Sequence, residues 1–84
     1  MKARYYGKKV VKNEFGDVTD RFPPTAVITC KESKREIMAE ILGKTGYSFD
    51  MFGDDTESWA YVAVADKEDY NNFMELWKHN KKLK

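Results

Sequence analysis

The stretch Glu57-Ser58-Trp59-Ala60-Tyr61-Val62-Ala63-Val64-Ala65 alternates two kinds of side chain with a period of two. Successive strand residues point to opposite faces, so Ala60, Val62 and Val64 share one side while Trp59, Tyr61 and Ala63 share the other. A strand of this kind needs a sheet around it. Its small branched face suits a packed helix layer, and its aromatic face suits contact.

Eighty-four residues, 42% of them hydrophobic and 14% aromatic, are expected to form one domain over residues 1–84 with a single core. No run approaches the roughly 18 apolar residues of a membrane span, and Met1-Lys2-Ala3-Arg4-Tyr5-Tyr6 does not look like a signal peptide. The chain is expected to be soluble and cytoplasmic, which a single cysteine, Cys30, fits. Net charge is only +1, yet the charges are segregated along the chain. Lys2, Arg4, Lys8, Lys9 and Lys12 open it without an acid, Lys78, Lys81, Lys82 and Lys84 close it without one, and all 14 acids lie from Glu14 to Glu75. If the two ends meet, they form one basic patch.

Tyr5, Tyr6, Val10 and Val11 suggest a first strand over residues 3–11 with a bulge at Gly7. Asn13 and Gly16-Asp17 carry turn chemistry, so Val18 and Thr19 read as a short returning arm, with Phe15 and Phe22 as anchors for the loop. Pro23-Pro24 removes two backbone donors and ends that segment. Thr25-Ala26-Val27-Ile28-Thr29-Cys30 is a strand with Ala26, Ile28 and Cys30 as its core phase. Ser33-Lys34-Arg35-Glu36 has the form of a capping box, which predicts a helix burying Ile37, Met38, Ile41 and Leu42 and ending at Gly43 or Gly46. Tyr47, Phe49 and Met51 form the apolar phase of the next strand, opposed by Ser48 and Asp50, and Gly53-Asp54-Asp55-Thr56 turns it into the Trp59 strand. Asp66 then caps a last helix, with Glu68 and Asp69 in its first turn and Tyr70, Phe73, Met74 and Trp77 on its buried face.

The predicted fold is an α+β two-layer sandwich, a four-stranded antiparallel sheet with two helices on one face. Its order is ββαββα, a permutation of the ferredoxin-like arrangement in which the N-terminal strand supplies the missing edge beside the Thr25 strand. The other face is open and displays Trp59 and Tyr61.

At Trp59, Ala60, Tyr61 and Val62 the aromatic strand resembles the longer consensus of the RNA recognition motif. That resemblance implies base stacking on the outward aromatics, each stack being worth about 1–3 kcal/mol. Glu57 stands where the family has a basic residue, Ser58 where it has glycine and Val64 where it has the last aromatic, and Val27 takes the second stacking position. Asp50, Asp54, Asp55 and Glu57 lie beside the platform, where phosphate would meet like charge.

Nothing in the chain converges toward catalysis. His79 sits in the lysine-rich tail, Cys30 follows a core phase, the acids do not have EF-hand spacing, and Gly43-Lys44-Thr45-Gly46 lacks both the upstream glycine and the preceding strand of a phosphate loop. No enzyme activity, metal or cofactor is expected. The expected function is that of a small protein-binding or inhibitor module, of the kind phages and mobile elements use against a host nuclease or another basic protein surface. Trp59, Tyr61, Asp54, Asp55 and Glu57 are its candidate contact residues. The alternative is RNA or single-stranded nucleic acid held by the open face, with Lys78, Lys81, Lys82, Lys8 and Lys9 as phosphate contacts. A homodimer through the open face is a further expectation, and no membrane partner is expected.

Overall fold

The computed structural model describes residues 1–83. Strands β1 (Lys2–Tyr6), β2 (Lys9–Lys12), β3 (Val18–Phe22) and β4 (Thr25–Lys31) come first, and a 3-10 turn (Glu32–Lys34) then leads into helix α1 (Arg35–Thr45). Strands β5 (Phe49–Gly53) and β6 (Glu57–Ala63) and helix α2 (Lys67–Lys82) complete the order. The protein is therefore an α+β chain whose main sheet has four antiparallel strands in the order β1-β4-β6-β5, with two helices.

The predicted ββαββα order is not the one found: the chain runs ββββαββα. What reads as one strand over residues 3–11 is two, because Gly7-Lys8 separates β1 from β2 and the two belong to different sheets. Strands β2 and β3 pair only with each other, as a two-stranded arm with a register shift between Val11 and Lys12. Pro23-Pro24 ends the arm on its return, since proline cannot donate to a continuing ladder. The arm lengthens the molecule. Principal extents are 50 × 32 × 17 Å and the radius of gyration is 14.5 Å, against about 12 Å for a compact chain of this size. Phe15 and Phe22 do not anchor it. They are 79% and 50% exposed, because the arm has no second layer on which to bury them.

The core lies between one side of the main sheet and the helices. Ala26, Ile28 and Cys30 from β4, Ala60 and Val62 from β6, and Val64 just beyond it are buried with Met38, Ile41 and Leu42 of α1 and Tyr70, Phe73 and Trp77 of α2. Ala3, Tyr5, Phe49 and Met51 extend this layer to the outer strands. Ile37 is a correction, since it stands exposed at the rim while Met38 takes the inward position.

The capping box does not form. Ser33 lies within the 3-10 turn, so the residue preceding α1 is Lys34, which makes no side-chain cap. Arg35 fixes this end of the helix instead: its Nη1 donates to the Phe52 carbonyl at 3.3 Å and to the buried Ser58 Oγ at 3.4 Å. Gly46, at φ 79°, provides the left-handed residue that ends α1, a conformation glycine adopts without steric cost. Asp66 caps α2 through a 2.8 Å bond from the Asp69 amide. Among the described residues, no helix is long and apolar enough to cross a membrane.

Candidate functional site

The sheet side turned away from the helices is the candidate site. Register sets its layout. Trp59 stands opposite Thr29 on β4 and Phe52 on β5, and Tyr61 stands opposite Val27 and Asp50. On β1, Lys2 is opposite Thr29 and Arg4 is opposite Val27. One row therefore reads Lys2, Thr29, Trp59, Phe52 and the next reads Arg4, Val27, Tyr61, Asp50.

Three aromatics cluster at the centre and toward β5. Phe52 and Tyr61 meet at a ring-centroid distance of 5.3 Å, tilted by 51°. They keep 46% and 43% of their surface exposed, and Trp59, on β6 opposite Phe52, is half-buried. Strand β1 lies within the sheet on the far side of β4 from these rings, so it does not cover them. Phe52 belongs to this group although, as an apolar residue after Met51, it breaks the apolar–polar alternation of residues 47–51. Carrying that alternation one residue further places Phe52 on the Asp50 side.

Charge divides the face into two flanks. Asp50 and the hairpin residues Asp54, Asp55 and Glu57 are exposed on the β5–β6 side, while Lys2 and Arg4 line the β1 side. A shallow depression of about 270 Å³ between β1 and β4 is bordered by Lys2, Arg4, Tyr6 and Glu57, so Glu57 also faces the basic flank and the division is cleanest between Lys2 and Arg4 on β1 and Asp50 on β5. The placement of Lys2 and Arg4 depends on β1 pairing with β4, a long-range event that local pattern does not reveal.

Asp54 has a structural task as well as a charge. Its Oδ1 accepts from the Thr56 amide at 2.8 Å, the Thr56 hydroxyl at 2.9 Å and the Glu57 amide at 2.8 Å. These bonds, that from the Glu57 amide foremost, hold its carboxyl below the usual carboxylate range. The reversal thus needs no positive φ: among the described residues only Gly16 and Gly46 have one. Among the described residues the Asp55 and Glu57 carboxylates form no ion pair, and Glu57 stands opposite Lys31.

Of the lysines named from the sequence as phosphate contacts, Lys8 and Lys9 lie toward one end of α2 and Lys78, Lys81 and Lys82 toward the other. Lys8 and Lys9 lie where the arm leaves the end of β1, close in sequence to Tyr5, which packs on Tyr70 early in α2 at 5.1 Å. Lys67 at the start of α2 sits over both of those rings. Lys78, Lys81 and Lys82 lie toward the other end of that helix, some three to four turns or about 17–22 Å further along.

Cys30 is buried and its thiol is pushed up from its ordinary value, first by that burial, which disfavours a thiolate nucleophile. Among the described residues, no group of three or more His, Cys, Asp or Glu side chains could hold a metal ion. The face instead offers aromatic surface between two opposite charges. No protein-family model, curated protein or solved structure matches the chain significantly.

Proposed function

We propose that this chain is a non-enzymatic protein-binding module that docks its partner on the open side of the main sheet. The observation that carries the reading is the exposed group Phe52, Trp59 and Tyr61 on a sheet held from behind by a packed core. Aromatic anchors within a charged rim are the usual makings of an interface hot spot. Docking there buries little new conformational entropy, because the strands already fix the backbone.

The partner this surface suits has a basic patch for Asp54, Asp55, Glu57 and Asp50, and an apolar centre for the rings. An inhibitor that covers the basic substrate-binding surface of a nuclease is one form of that function. A second reading, single-stranded nucleic acid, gains support from Lys2 and Arg4, which share the face with Trp59 and Tyr61. The acids across the rings oppose it, since each like-charge approach at about 4 Å costs on the order of 1 kcal/mol even in water.

The test is affinity capture from lysate by wild type and by Tyr61→Ala, with and without nuclease, alongside thermal melts. Capture of a defined protein that survives nuclease, disappears in Tyr61→Ala and leaves melting unchanged supports the reading. Capture that nuclease abolishes transfers support to nucleic acid, and capture indifferent to Tyr61→Ala and Phe52→Ala removes the face as the site.

A further inference from the structure

The outer edge of β5 has unpaired backbone groups beside a groove. Strand β5 pairs only with β6, in the register Asp50 to Tyr61 and Phe52 to Trp59. The Ala63 amide donates to the Ser48 carbonyl, and the Asp54 amide donates to the Glu57 carbonyl. Bonded and non-bonded pairs alternate along an antiparallel ladder, so Asp50 and Phe52 bond inward to β6. Phe49 and Met51 must then direct their N–H and C=O groups outward.

The groove lies between this edge and α1. It has a volume of about 550 Å³ and is lined by Glu32, Arg35, Glu36, Ala39, Phe49 and Met51, among others. Ala39, Phe49 and Met51 give it an apolar lining, and its two glutamates outnumber the one arginine. Neither Glu32 nor Glu36 forms an ion pair among the described residues. Arg35 keeps its positive charge in the groove, but its guanidinium is directed to the Phe52 carbonyl and Ser58 Oγ and forms no ion pair with either glutamate among the described residues. The opposite edge differs: β1 carries Lys2 and Arg4, charges of the kind that discourage further pairing.

We propose that the β5 edge takes up an extended, basic segment of a partner protein as a fifth strand, with alternate lysine or arginine side chains lying in the groove beside α1. The aliphatic stems would run over Phe49, Met51 and Ala39 while the cationic heads reach Glu32 and Glu36. Side chains of the other phase would pass Phe52 and Asp50 on the open side. Main-chain bonds to Phe49 and Met51 give affinity, and the two glutamates select the charge. This site adjoins the aromatic face and shares Phe52 and Asp50 with it, but its main-chain bonds and its groove do not require a partner on Trp59 and Tyr61.

The experiment titrates acetyl-Lys-Val-Lys-Val-Lys-Val-amide into isotope-labelled protein and follows backbone amides by NMR. Saturable binding is expected, with the Phe49 and Met51 amides shifting downfield and gaining protection from exchange. The Glu-Val analogue and a version N-methylated at alternate residues should bind at least about tenfold more weakly, and Glu36→Lys or Glu32→Lys should weaken the parent peptide similarly without changing the melt. The proposal is overturned by absence of binding up to about 1 mM. Equal binding of the acidic or N-methylated peptide overturns it too, as do shifts centred on Trp59 and Tyr61 with Phe49 and Met51 unmoved.

Discussion

The hydroxyl of Tyr47 donates to Asp69 Oδ1 at 2.6 Å, joining the segment that enters β5 to the first turn of α2. Asp69 Oδ2 accepts from the Ala65 amide at 2.8 Å, so one carboxylate holds both the approach to β5 and the approach to the helix. The Tyr47 bond, then the Ala65 bond, lower the Asp69 carboxyl below its usual range. The same bond first, with a smaller part from burial, raises the Tyr47 phenol.

The pH consequence has a definite sign. A lowered carboxyl stabilises the fold above its unfolded value near about 4, and that contribution is lost as pH falls through the folded value. A raised phenol stabilises the fold below about 10, and that contribution is lost as pH rises through the folded value. Tyr47→Phe should therefore be less stable than wild type at neutral pH, with the gap closing below about pH 4 and above about pH 10. Denaturant melts across that range check it, and a gap independent of pH would assign the loss to packing alone.

Gly53 is a position where an added methyl has nowhere to go. Its Cβ would lie 2.9 Å from Arg35 Nη1, from Ser58 Oγ and from the Glu57 carbonyl. The first two can shift, but the Glu57 carbonyl is backbone and accepts from the Asp54 amide. Gly53→Ala is expected to cost about 1–3 kcal/mol, the range of an overpacked site. Denaturant midpoints measure it. In an Arg35→Ala background the cost should persist, because the carbonyl clash remains.

The arm can be removed without opening the body. Tyr6 and Thr25 are paired neighbours on β1 and β4, so the arm departs and returns at adjacent points. Replacing residues 7–24 by Asn-Gly leaves a two-residue hairpin of favoured type. An isolated two-stranded ribbon contributes little stability of its own, so the shortened chain should stay within about 1 kcal/mol of wild type. Its radius of gyration should fall from 14.5 Å to about 11 Å by solution scattering. A much larger loss of stability would show that the arm supports the core.

The parts of the fold that were legible are those where one local period decides the burial. Ala26, Ile28 and Cys30, and Ala60 and Val62, alternate as a half-buried strand must, and Tyr70, Phe73 and Trp77 recur at helical spacing. The Asp66 cap was legible because its partner is three residues away. The arm was not, since a glycine between two apolar pairs marks a bulge and a change of sheet equally well. Ser33 to Glu36 had the capping pattern, yet the chain leaves β4 through a 3-10 turn and Arg35 takes over the anchoring by a contact 23 residues away. At the site, Trp59 and Tyr61 came from alternation alone. Lys2 and Arg4 did not, because their face is decided by which strand β1 joins.

The two flanks of the open face also give it a direction. Consider two copies stacked face to face about a two-fold axis parallel to the strands. Each copy then sets Lys2 and Arg4 over the other's Asp50 side, and opposite charges meet at both borders. Turn the axis across the strands and each flank lies over the same flank of the other copy, so like charges face one another and that stacking is repelled. The same rule orients any foreign surface: one approach matches both borders, and its half-turn rotation mismatches both.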